Sequence, residues 1–233
     1  MLVPTVLLPG PGGDRAYDLF SRLLSDRIVF LGSAIDDQVA HLIIGQLLHL
    51  DGERPDQPIS LYINSPGGDM TALFAIHDTM QHVRSPVATI CVGQAASAAA
   101  VLLAAGAPGR RFALPNARVL LHQPHGGAQG QSTDIEIQAR EMVEMRERMV
   151  AILERATGRS ADDLHRDMDR DFILRIYWEG QSTPSVECPL TDFFAVPYSH
   201  QNPDRPTQGP SPLVNSLPVA VNPNRALNCF WEM

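Results

Sequence analysis

Three side chains, far apart in the chain, have the types needed for nucleophilic catalysis: Ser97, His122 and Asp171. A serine hydroxyl is a weak nucleophile unless a base takes its proton as it attacks. Histidine suits that base at neutral pH. A carboxylate on the second imidazole nitrogen fixes the tautomer and stabilises the imidazolium. The order Ser, His, Asp differs from the Ser, Asp, His order of α/β-hydrolases. The context Ala95-Ala96-Ser97-Ala98-Ala99 also lacks the GxSxG pattern. Each residue has a plainer reading. Ser97 could be a helix N-cap. His122 could be a hydrogen-bonded residue at a strand end, and Asp171 an exposed partner of Arg170. A metal at His122 and His125 would need another ligand, and none is evident.

The elements around these residues must bring them together. Residues 87–92 are apolar and bounded by Pro86 and Gly93, which predicts a buried strand. Gly93-Gln94-Ala95-Ala96 reads as a tight turn. From Ser97 onward alanines with Val101, Leu102 and Leu103 predict a buried helix. Free N–H groups at the start of that helix would stabilise an oxyanion. Strands at 27–32 and 59–64 are each followed by helical spacing, over 37–50 and 70–83. The period of about 30 residues is that of a βαβ unit, which sets the strands parallel. Ligand sites of such sheets lie at the carboxyl ends of the strands. The Gly67-Gly68 turn and the Ser97 turn should therefore be neighbours. Gly67-Gly68 is either a simple turn or a place where a backbone N–H approaches an oxyanion.

Beyond the central helix, 112–114 and 118–122 read as strands and 126–131 as a flexible loop. A helix follows over 132–156. Ser132 or Thr133 with Glu136 gives it a capping-box pattern. Its apolar positions, Ile135, Ala139, Met142, Met145, Met149, Ile152 and Leu153, fit either a core helix or one that projects to a partner. A short helix is expected at 160–169, and another at 16–24. Residues 1–14, with three prolines, read as a mobile arm. Residues 175–233 carry nine of the 19 prolines and no periodicity, and read as a poorly ordered tail.

Composition narrows the function classes. A net charge of −8 argues against nucleic acid or an anionic membrane as the main partner. The 18 basic residues are all arginine. Cys91, Cys188 and Cys229 have no metal spacing and fit a reducing compartment. The start of the chain has neither the charge nor the apolar run of a signal peptide or membrane span. A soluble, cytoplasmic protein is expected.

Five segments then make a specific resemblance: 62–68 (YINSPGG), 93–97 (GQAAS), 114–118 (LPNAR), 122–124 with 126–131 (HQP, GGAQGQ), and 169–171 (DRD). In this order they resemble ClpP, the family of proteolytic subunits of the Clp protease, over about residues 15–174. The resemblance implies a crotonase-like α/β fold of repeated strand–turn–helix units. It implies heptameric rings stacked into a barrel around enclosed active sites. Ser97 would be the nucleophile, His122 the general base and Asp171 its orienting carboxylate. Backbone N–H groups of Gly68 and Ala98 would form the oxyanion hole. The 132–156 helix would be the handle that interlocks two rings, with Asp169 and Arg170 as inter-ring ion-pair residues. Tyr62 and Phe112 would belong to the cleft that receives loops of a partner ATPase. No metal or cofactor is implied, because ATP is used by the AAA+ unfoldase.

The sequence departs from the family at three places. Ala98-Ala99 replaces a common Met-Gly, His82 replaces an aromatic of the cleft, and the chain after Leu174 bears no likeness to the family. That ending reads as a frame-shifted or replaced terminus, and it would leave the Asp171 turn short of packing support. Three functions compete: a serine peptidase working with an unfoldase, an impaired subunit of a ring mixed with a paralogue, and a crotonase-type acyl-CoA enzyme. The Ser97, His122 and Asp171 set argues against the third.

Overall fold

The computed structural model describes residues 3–9, 13–124, 127, 129–175 and 188–189. Most of the tail reading therefore lies outside the described residues, as do His125 and Gly126.

Three strand–helix units build the centre, as the period predicts. They are β3 (Ile28–Leu31) with α2 (Asp37–Glu53), β4 (Ile59–Ser65) with α3 (Met70–His82), and β5 (Val87–Ala96) with α4 (Ala98–Ala104). The strands lie parallel in the order β3, β4, β5. Asp36 and Asp69 cap α2 and α3 by accepting from Val39 N and Ala72 N, both at 2.8 Å. One face of the sheet is packed under the helices through Val29, Leu31, Leu61, Ile63 and Cys91. All seven residues of α4 are buried. Its alanines let the helix lie close to the strands around it.

β5 divides its partners. At Thr89, Ile90 and Cys91 it pairs with β6 (Arg111–Ala113). At Gln94, Ala95 and Ala96 it pairs with β7 (Arg118–Leu121). The expected turn at 93–96 is therefore corrected. These residues stay extended because β7 supplies a ladder for them, and the chain turns only at Ser97. β7 also pairs antiparallel with β8 (Phe172–Arg175), and β6 with β9 (Cys188–Pro189).

The mobile-arm reading is also corrected over part of its length. β1 (Thr5–Leu8) pairs antiparallel with β2 (Arg15–Asp18). The helix expected at 16–24 starts late, as α1 (Leu19–Ser25), because Ala16 to Asp18 are held in that hairpin.

α5 (Ser132–Thr157) resolves the choice left by its pattern. Its buried residues are Met149, Val150, Ile152 and Leu153, all in its last third. Ile135, Ile137 and Val143 are exposed. The first third of a helix about 39 Å long is thus exposed all round, while Met142, Met145 and Arg146 further on are half-buried. The expected cap is not made: Gln131 is the N-cap and no side chain bonds there. Gly158, in the left-handed region at φ 74°, ends α5. α6 (Ala161–Met168) follows, capped by Ser160.

The end of the sheet away from the site is closed by Arg27, whose own φ is 63°. Its guanidinium donates to Leu50 O, Gln57 O, Pro58 O and Ser85 Oγ at 2.8 to 3.1 Å. Arg27→Met leaves these acceptors without their donor. It should lower unfolding stability in urea by about 3 kcal/mol. A loss below about 1 kcal/mol would refute the clamp.

Candidate active site

Ser97 stands where β5 becomes α4, at φ 54° and ψ −122°. A non-glycine residue at positive φ is strained, and such strain collects at functional sites. Ser97 is the N-cap of α4 by position, yet its side chain makes no capping bond. Its N–H donates to Leu120 O at 2.8 Å, and its carbonyl accepts from Ala100 N at 2.9 Å. The backbone on both sides of the hydroxyl is thus fixed. The half-buried side chain is left for other work.

The Gly67-Gly68 turn lies against this serine, as its place at a strand end predicts. A Cβ on Gly67 would fall 2.5 Å from Ala96 O and 2.8 Å from Ser97 Cβ. A Cβ on Gly68 would fall 2.1 Å from Ile35 O. Gly67 O accepts from Ile35 N at 2.9 Å, and Asp69 N donates to Ile35 O at 2.8 Å. These bonds hold the turn from behind. Among the described residues, neither the Gly68 N–H nor the Ala98 N–H has a hydrogen-bond acceptor. Both remain available to a ligand atom.

His122 follows β7 directly. Since Ala96 pairs with Leu120, the ladder carries His122 alongside the Ser97 turn. On its other edge β7 pairs Leu121 with Phe172, which sets Asp171 opposite His122. His122 Nδ1 and Asp171 Oδ1 are 3.2 Å apart. The His122 side chain is 21% exposed and that of Asp171 67%. The alternative partner for Asp171 is not taken, for Arg170 lies 4.0 Å from Asp169 instead. Gln123 adds a clamp, with its N–H on Met168 O at 2.8 Å and its side-chain amide on Asp169 O at 3.2 Å. The Cys91 thiol, buried in β5, does not compete as a nucleophile. Burial pushes the Cys91 thiol up to about 11, so it carries little thiolate at neutral pH.

A model of the Clp protease family matches residues 11–177. The chain belongs to the Clp protease family. It is thus a ClpP-like peptidase by family, with an α/β fold.

In this Clp protease family member the aromatic residues of the sheet form a row. Tyr62 stacks on Phe30, with centroids 5.7 Å apart and planes 8° from parallel. Register sets Phe30, Tyr62, Ile90 and Phe112 in one row across β3, β4, β5 and β6. Tyr62 and Phe112 therefore flank Ile90 and are not adjacent. Phe30 escaped the sequence reading, although its parallel pairing with Tyr62 follows from the strand repeat. His82 is exposed at the end of α3, and Asp169 and Arg170 are exposed. Among the described residues no group of His, Cys, Asp and Glu could hold a metal ion. No helix of the described residues is long and apolar enough to cross a membrane.

The contacts at two glycines predict opposite outcomes. Gly67→Ala meets backbone at 2.5 Å and adds strain at φ 89°, and should cost about 2–3 kcal/mol in thermal or urea unfolding. Gly93→Ala meets only the end of the exposed Asn64 side chain, at 2.6 Å, and should cost about 1 kcal/mol or less. Equal costs would show that the close approach at Ser97 is not what selects Gly67.

Proposed function

We propose that this chain is a serine endopeptidase subunit of an ATP-dependent Clp machine, with a crotonase-like fold. It hydrolyses peptide bonds of unfolded proteins delivered by an AAA+ unfoldase. The observation that carries this reading is the strained Ser97, packed on Gly67 and joined through β7 to the His122–Asp171 contact of 3.2 Å.

The steps follow from the roles. Ser97 Oγ attacks the scissile carbonyl carbon while His122 Nε2 takes its proton. Asp171, at Nδ1, holds the tautomer and favours the imidazolium. The carbonyl oxygen becomes an oxyanion received by the N–H groups of Gly68 and Ala98. Collapse breaks the C–N bond, and the leaving amine takes the proton from His122. Water then attacks the acyl-serine with His122 again as base, releasing the acid and restoring Ser97. No metal or organic cofactor enters. ATP is consumed by the unfoldase.

Partner contacts extend the reading. The projecting part of α5, with Ile135, Ile137 and Val143 exposed, serves as a handle between two stacked heptameric rings. Asp169 and Arg170 supply inter-ring ion pairs. Tyr62, stacked on Phe30, and Phe112 receive loops of the unfoldase. The protein works in the cytoplasm.

A fluorophosphonate probe should label the assembled wild-type chain, fail on Ser97→Ala, and label His122→Gln about 10²- to 10⁴-fold more slowly. Labelling that survives in Ser97→Ala would overturn the assignment. Short peptides should be cleaved without nucleotide, and a folded protein only with the unfoldase and ATP. Nucleotide-free destruction of the folded protein would contradict the delivery step.

A further inference from the structure

The pairing of α6 with its own leading turn is not used by the chemistry above. Arg159 lies between Gly158, which ends α5, and Ser160, which caps α6. Its Nη1 sits 2.5 Å from Oδ2 of Asp167, with side chains 13% and 2% exposed. The pair joins the beginning of an eight-residue helix to its end. Immediately after Asp167, Met168 O and Asp169 O hold Gln123. Gln123 follows His122, and Asp171 lies two residues past Asp169. A closed circuit results: Asp167, Met168, Gln123, His122, Asp171.

We propose that the buried Arg159–Asp167 ion pair is a positioning device that sets the end of α6, and through Gln123 the placement of Asp171 against His122. This rests on the serine-peptidase reading of the site. Stability alone does not account for the pair. Burial, more than any neighbouring charge, pushes the Asp167 carboxyl up, against the opposing pull of Arg159 and Arg166. A carboxyl raised in the folded state binds more protons folded than unfolded. It therefore subtracts stability as pH rises through that range, and the deficit is present at neutral pH. A buried charge pair kept at such a cost is expected where geometry serves function. The other charges nearby do not substitute for Arg159. Arg166 is paired with Asp163, and His165 with Glu147 at 3.2 Å.

The test compares the wild-type full chain with Asp167→Asn and with the apolar double variant Arg159→Met/Asp167→Leu. The double variant leaves no unpaired buried charge, so it folds even if Asp167→Asn does not. Its Tm should equal or exceed that of the wild type. Its kcat on a short fluorogenic peptide should fall about 10- to 100-fold with KM unchanged. Hydrogen exchange at residues 122 and 123 should quicken while β5 is unaltered. A double variant with wild-type kcat overturns the proposal. So does a lowered Tm with activity reduced only in proportion to the folded fraction. If the wild type cleaves no peptide, the peptidase reading fails on its own, and exchange decides the coupling. Faster exchange confined to 122 and 123 supports it and unchanged exchange overturns it.

Discussion

The close approach of Gly67 to Ser97 is the constraint on which the site depends. The chain must leave a buried parallel strand and enter a buried helix within one residue. That residue is a serine in the left-handed region, which an L side chain adopts only when its surroundings leave no other choice. The surroundings here are backbone: Ala96 O and Ala98 N lie 2.5 and 3.1 Å from where a Gly67 Cβ would stand. The neighbouring turn is held in turn by Ile35, through two backbone bonds and the contact at Gly68. Three consecutive strand-to-helix turns, at Ile35, Gly67-Gly68 and Ser97, thus brace one another. The repeat that builds the fold also builds the site.

His122 and Asp171 are set differently. A pair as exposed as His122 and Asp171 contributes about 0–1 kcal/mol and cannot by itself fix its partners. Their positions come from two ladders on opposite edges of β7. One, with β5, carries His122 towards Ser97. The other, with β8, carries Asp171 towards His122. Because Leu121 and Phe172 are both buried, slipping either strand by one residue would expose an apolar side chain. The hydrophobic pattern of these short strands therefore specifies the register, and the register specifies the polar contact.

Much of this was legible in the sequence. The strand–helix period, the neighbouring turns at Gly67 and Ser97, and the strand end at His122 all follow from local apolar patterns and breakers. The errors have a common cause. Gly93-Gln94 looks like a turn in isolation, yet the 118–121 segment offers it a ladder, and that pairing is non-local. The hairpin of Thr5–Leu8 with Arg15–Asp18 was missed for the same reason, with prolines suggesting mobility. The helix at Ser132 starts one residue earlier than the capping pattern suggests, with Gln131 as N-cap and no side-chain bond there. The Phe30–Tyr62 stack needed only the parallel register, which the repeat already supplies. Arg159 and Asp167 carried no local signal at all, since an ion pair across a helix is visible only once the helix is folded back on its own turn.

The two halves of the site consequently differ in kind. Ser97 and the glycine turn stand on the central parallel units, where movement disturbs close-packed backbone. His122 and Asp171 stand at the end of the β7–β8 ladder, the outermost of that branch among the described residues, between four-residue strands. An edge ladder of that length opens more readily than the core, so its geometry needs support from outside the sheet. Gln123 supplies such support by spending both its backbone and its side-chain N–H groups on the end of α6. The placement of His122 against Asp171 thus draws on α6 as well as on the sheet. The Ser97 and glycine turns are braced by neighbouring backbone, whereas the His122–Asp171 contact is only as well placed as the helix that leads into Asp171.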